Sequence, residues 1–147
     1  MKGKFKAKNP AKYKGDPTNI IYRSSYELKL FRYLDTHPQV KWWQSEEVVI
    51  PYKSPITGRY HRYFPDVTLK RIDGKVILIE VKPKYQTVPP DRSKMRTPNG
   101  KIKKAYINEV QEWGKNQAKW QAAREYCADR GWSFQIMTEN ELGIKNK

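Results

Sequence analysis

A chain of 147 residues carrying 30 Lys and Arg against 15 Asp and Glu, a formal charge of +15, has the length for one domain with a buried core. No run of about 18 apolar residues occurs, so a membrane-spanning helix is excluded, and the lysine-rich N-terminus lacks the apolar segment of a secretory signal. The single cysteine, Cys127, rules out an internal disulfide and fits a reducing interior. The excess charge is clustered. Residues 1–14 hold a net +6 and residues 82–104 a net +7, leaving the rest close to neutral. Clustering of this kind points to a polyanionic partner, nucleic acid first, with a solubility or purely structural arm as the plainer alternative.

Residues 1–19 read as a flexible basic arm, lysines alternating with small residues and punctuated by Pro10, Gly15 and Pro17. A single domain is expected over 20–147. Its first helix runs from Ser24 to about Thr36. Ser24 is the N-cap, Glu27 stands three residues on as in a capping box, and Leu28, Leu30, Phe31 and Leu34 form the apolar stripe. Strands are predicted over 40–50 and 59–70, with a bulge or edge at Pro65. Asp73-Gly74 is a hairpin turn. The following strand, 75–82, carries Val76-Ile77-Leu78-Ile79-Glu80-Val81-Lys82, apolar enough to be buried on both faces.

Residues 83–102 contain Pro83, Pro89, Pro90 and Pro98 among many basic residues and read as a mobile loop. A helix over about 103–130 follows, with Gly131 as its cap, then a short strand over 132–137. Tryptophans 42, 43, 113, 120 and 132 are most simply core. Either Gln117 or Lys119 on that helix could face the site, with packing or solvent the plainer expectation, and two histidines are too few for a zinc site.

A carboxylate and an ammonium at the end of a core strand are costly unless they have partners or work to do. Glu80 and Lys82 share one side of the strand. Asp66 opens the preceding strand and can converge with Glu80 on one ion, within reach of the Val81 carbonyl. Phosphodiester hydrolysis needs such an oxygen set for Mg²⁺, and a lysine to handle water and transition-state charge. The spacing Pro65-Asp66, thirteen residues, Glu80-Val81-Lys82 resembles the PD-(D/E)XK nuclease superfamily. That resemblance implies a restriction-endonuclease-like αβββαβ core of α/β (α+β) class, a mixed central sheet flanked by helices. It also implies a further metal-site role for Glu27, beside its capping role.

The runs Lys2-Gly3-Lys4-Phe5-Lys6, Asn9-Pro10, Tyr13 to Ser24, Ser45-Glu46-Glu47, Arg62-Tyr63-Phe64 and Asn116 to Trp120 are similar to the head completion nucleases of T-even-like tailed phages. The resemblance covers nearly the whole chain. It implies an endonuclease, with exonuclease activity also expected, that processes packaged DNA as the head is finished and the tail joins. The implied cofactor is Mg²⁺, with Mn²⁺ expected to substitute, and the implied setting is the host cytoplasm, with retention in the virion left open. Portal or head–neck proteins are candidate partners, and oligomeric state is open. The expected site is Glu27, Asp66, Glu80 and Lys82, with metal held by Asp66, Glu80, Val81 and Glu27. Arg23, Lys84, Lys94, Arg96, Lys101 and Lys103 are expected on DNA, reading backbone charge with little sequence specificity. The alternatives are a non-catalytic basic DNA-binding assembly protein and a junction-resolvase or transposon-end nuclease of the same core.

Overall fold

The computed structural model describes residues 1–144, so 145–147 of the expected domain lie outside the described residues. Helix α1 (Ser25–Thr36) starts where Ser24 leaves extended backbone and its side chain accepts the Glu27 N–H at 3.1 Å. Strands β3 (Val40–Ser45), β6 (Val67–Arg71), β7 (Val76–Val81) and β8 (Ser133–Met137) form one sheet in the order β3-β6-β7-β8. β3, β6 and β7 pair antiparallel, and β7 with β8 is parallel. A parallel neighbour needs a crossover, and α2 (Lys104–Arg130) supplies it. Gly131 closes that helix at φ 70°. A short helix, α3 (Glu139–Leu142), follows β8. The order helix, three sheet strands, helix, strand is as expected. No helix among the described residues is long and apolar enough to cross a membrane.

Alternation along the strands divides the core in two. Val67, Leu69 and Ile79 pack with Leu30, Phe31 and Leu34 of α1 around Trp43. Leu78 packs on the opposite side with Trp120, Ala123 and Cys127 of α2. Glu80 shares the parity of Leu78 and so belongs to the α2 side.

Two expected strands are each divided. The segment 40–50 becomes β3 and β4 (Ile50–Lys53), and 59–70 becomes β5 (Tyr60–Tyr63) and β6. β4 and β5 pair with each other in a separate two-stranded ribbon. Glu46, at φ 55°, turns the chain away after β3, and Pro65, without an N–H, lies in the break that separates β5 from β6.

The N-terminal segment departs from the expected flexible arm. β1 (Gly3–Phe5) pairs antiparallel with β2 (Ile20–Tyr22), and Phe5, Tyr13 and Ile20 are buried in the α1-side core. Phe5 meets Phe31 at 5.8 Å and Trp43 at 6.0 Å, and Tyr13 meets Trp43 at 4.7 Å, all edge-on. The buried Asp35 carboxylate accepts the backbone N–H groups of Lys8 and Asn9 at 2.8 and 3.0 Å, which fastens the segment to α1. A Cβ at Gly3 would come within 2.5 Å of the Tyr22 hydroxyl oxygen, so a larger residue there would displace the tip of the Tyr22 side chain. Lysines at 2, 4, 6 and 8 hide a period-2 strand in which the odd positions face inward.

The segment 83–102 contains two short 3₁₀ turns, Lys84–Thr87 and Arg92–Lys94, and an antiparallel bridge from Arg96 to Ile102.

Candidate active site

Because Pro65 interrupts the ladder, the Asp66 side chain is free to reach across to the end of β7. There its Oδ2 accepts the Val81 N–H at 2.7 Å, while its carbonyl accepts the Glu46 N–H at 3.1 Å. Glu80 is buried beside it. Burial pushes the Asp66 carboxyl well above the usual carboxylate range. The charge of Glu80 and a hydrogen bond to Glu80 push it further, against the opposing bond from Val81. Two carboxylates, Glu80 buried and Asp66 half-buried, thus share a spot in which ionising both is costly.

Glu80 is held from behind. Tyr63 donates its hydroxyl to Glu80 Oε2 at 2.8 Å, and Trp120 donates Nε1 to the same oxygen at 3.2 Å. Burial first, then the charge of Glu80, pushes the Tyr63 phenol far above its ordinary value, so it remains a donor. The Lys119 ammonium lies over the rings of Tyr52 and Tyr63 at 5.7 and 5.6 Å. Its pKa is lowered, chiefly by burial and then by Lys115.

Glu27, Asp66, Glu80, Val81 and Lys82 line one open cleft of about 670 Å³. Burial also raises the Glu27 carboxyl, against a hydrogen bond from the Arg23 backbone. No three His, Cys, Asp or Glu side chains among the described residues draw together as a ready ligand cluster, although the charge of Glu27 acts on Asp66 and that of Glu80 on Glu27. The donor set nevertheless suits Mg²⁺, which takes one or two carboxylates and keeps several waters. A cation would also relieve the repulsion that lifts Asp66.

The expected DNA contacts are distributed unevenly. Arg23 is ion-paired to Glu46 at 2.6 Å. Lys84, Lys94, Lys101 and Lys103 are exposed, and Arg96 donates to the Gly100 carbonyl at 2.8 Å. Glu139 lines the cleft, accepting the Lys84 N–H at 2.7 Å and the Tyr26 hydroxyl at 2.8 Å.

The roles of Tyr63 and Trp120 behind Glu80, and of Glu139 at the cleft, were not legible in the sequence. Tyr63 and Trp120 reach Glu80 from 17 and 40 residues away, and each also fits a plain core pattern. Only the rule that a buried carboxylate must find donors would have prompted a search for them.

Residues 37–139 match the TnsA-like endonuclease N-terminal family. The chain is 41% identical over 140 residues to the head completion nuclease of Enterobacteria phage T4, an alignment covering 95% of this chain and 92% of that protein. No solved structure matches it significantly. The endonuclease match implies a restriction-endonuclease-like fold, in keeping with the mixed four-stranded sheet and its flanking helices. A carboxylate pair at the start of β6 and the end of β7, a lysine beside it and similarity along almost the entire chain agree, and the protein belongs to the head completion nuclease family, with a TnsA-like endonuclease domain at its centre.

Proposed function

We propose that the chain is a Mg²⁺-dependent deoxyribonuclease that cuts packaged DNA as a phage head is completed before tail joining. The observation that carries this reading is the mutually repelling pair of half-buried Asp66 and buried Glu80, in one cleft with Lys82. The phage role rests on the similarity to the T4 head completion nuclease.

Asp66, Glu80 and the Val81 carbonyl would hold the cation, with Glu27 assisting through water. Glu80 Oε2 is committed to Tyr63 and Trp120, so Oε1 is the oxygen offered. When bound, the cation supplies Lewis-acid stabilisation of the phosphoryl oxygens and acidifies water. Lys82, as the ammonium, orients the attacking water and offsets charge on the phosphate. The exposed Lys84, Lys94, Lys101 and Lys103 hold the DNA backbone, assisted by Arg96. Arg23 joins them by exchanging Glu46 for a phosphate. Contacts of this kind carry little sequence information. Portal or head–neck proteins are the fitting partners for such a task.

The test is cleavage of plasmid and of branched DNA, with Mg²⁺ and with EDTA, by wild type, Lys82→Ala and Glu80→Ala. Metal-dependent cutting lost in both variants, with DNA binding retained, is the expected result. Absence of cutting by the wild type on any substrate, with salt-sensitive binding intact, would refute catalysis and leave a DNA-binding assembly protein.

A further inference from the structure

A second pocket, of about 380 Å³, lies between the Tyr85–Pro90 segment and the first half of α2. Tyr85 and Gln86 line both it and the carboxylate cleft, so the two are contiguous. Its other walls include Val88, Trp113, Glu109 and Glu112. Tyr85 is 73% exposed, an aromatic ring left in solvent at the mouth of a cavity. Asn116 also lines the pocket. Only 5% of this residue is exposed, yet among the described residues its amide makes no hydrogen bond. Its amide atoms are not among the fully buried unpaired polar groups, so its two donors and its acceptor keep access to solvent and can meet a polar planar partner.

We infer that this pocket takes one unstacked nucleobase of the DNA strand whose phosphate lies in the adjoining cleft. The proposal rests on the nuclease reading of that cleft. Glu112 is ion-paired to Lys115 at 3.0 Å; the carboxylate of Glu109 disfavours a phosphate here but can accept from the exocyclic amine of a base. Tyr85 and Trp113 offer aromatic faces for stacking, and Asn116 can bond a base edge on both its donor and acceptor sides. The volume is at the small end for ligand sites, as a single planar ring system requires. The basic segment 82–104 carries the backbone past this opening. The enzyme would then favour DNA in which a base is already out of the stack at the cut, as in single strands, flaps and branches.

The experiment uses the full chain with Ca²⁺ in place of Mg²⁺ and single-stranded oligonucleotides carrying 2-aminopurine at successive positions. One position should change fluorescence on binding. Tyr85→Ala should abolish that change and weaken binding roughly 5- to 150-fold, the range expected for one base–aromatic stack. Asn116→Ala should weaken binding in the same direction. An abasic site at that position should weaken wild-type binding by a similar factor and make it indifferent to Tyr85→Ala, which a merely structural role for Tyr85 would not produce. A wild type that cuts these oligonucleotides in Mg²⁺ but shows no responsive position, or a Tyr85→Ala variant with unchanged affinity, overturns the pocket. A responsive position without any cutting by the wild type supports the pocket and refutes the nuclease reading instead.

Discussion

Tyr63→Phe is the sharpest single test of how the site is built. The change removes one oxygen and leaves the ring, which is 4% exposed and packed in the α2-side core. What disappears is the 2.8 Å hydrogen bond to Glu80 Oε2, leaving that oxygen with the longer 3.2 Å bond from Trp120 alone. A hydrogen bond to a charged group contributes about 1.5–3 kcal/mol, and loss of a partner that orients a metal ligand costs on the order of 10- to 100-fold in metal affinity or activity. The expected result is therefore a 10- to 100-fold weaker Mn²⁺ affinity in calorimetric titration. Mg²⁺-dependent plasmid nicking should fall likewise, partly restored by raising the metal concentration. Because the phenol's pKa is pushed far above its usual range, its removal should take no ionisation out of the pH profile between pH 5 and 9. A metal affinity within twofold of wild type would show that Glu80 needs no such support and that the Tyr63 bond is incidental to the site.

Other consequences are equally open to measurement. Asp66→Asn should raise the melting temperature of the metal-free protein at neutral pH. The Asp66 carboxyl is raised on folding, so its contribution is fully present below the unfolded value near pH 4 and is lost as pH rises through the folded one. Wild type at a Mg²⁺ concentration of about 100 times Kd should gain about 2.7 kcal/mol, roughly 5–11 °C, and the Asn variant little; equal gains would exclude Asp66 from the metal site. Phe5→Ala should cost about 3–5 kcal/mol in urea denaturation, as for a large core residue, whereas a loss under about 0.5 kcal/mol would restore the free-arm reading. The double variant Lys94→Ala, Lys101→Ala should weaken DNA binding evenly across sequences and reduce the salt dependence by one to two phosphate contacts. An unchanged slope would remove this segment from the DNA path.

Much of this molecule could be read before its structure was known, because the signals concerned are local. The Ser24 cap and the apolar stripe place α1 to within a residue. The run from Val76 to Val81 can only be a buried strand. The Gly131 stop and the three- and four-residue spacing of α2 are equally plain. Alternation along β7 alone puts Glu80 on one face and makes its charge conspicuous. The N-terminal segment misled because its strand signal consists of Gly3, Phe5 and Ala7 between lysines, and the burial of Phe5 depends on Trp43 and Phe31, far along the chain.

The chain alone therefore determines the elements, their order and the acidic and basic residues that mark the site. A period of 2.0 or 3.6 residues and the cost of an unpartnered charge operate over a few residues. Only the tertiary structure decided that β3 and β4 part at Glu46, that Asp35 fastens the basic N-terminus, and that Tyr63 and Trp120 meet on a single oxygen of Glu80. These depend on which buried groups find partners across 17 to 40 residues of intervening chain, and a side chain's need for a partner does not say which distant donor will meet it.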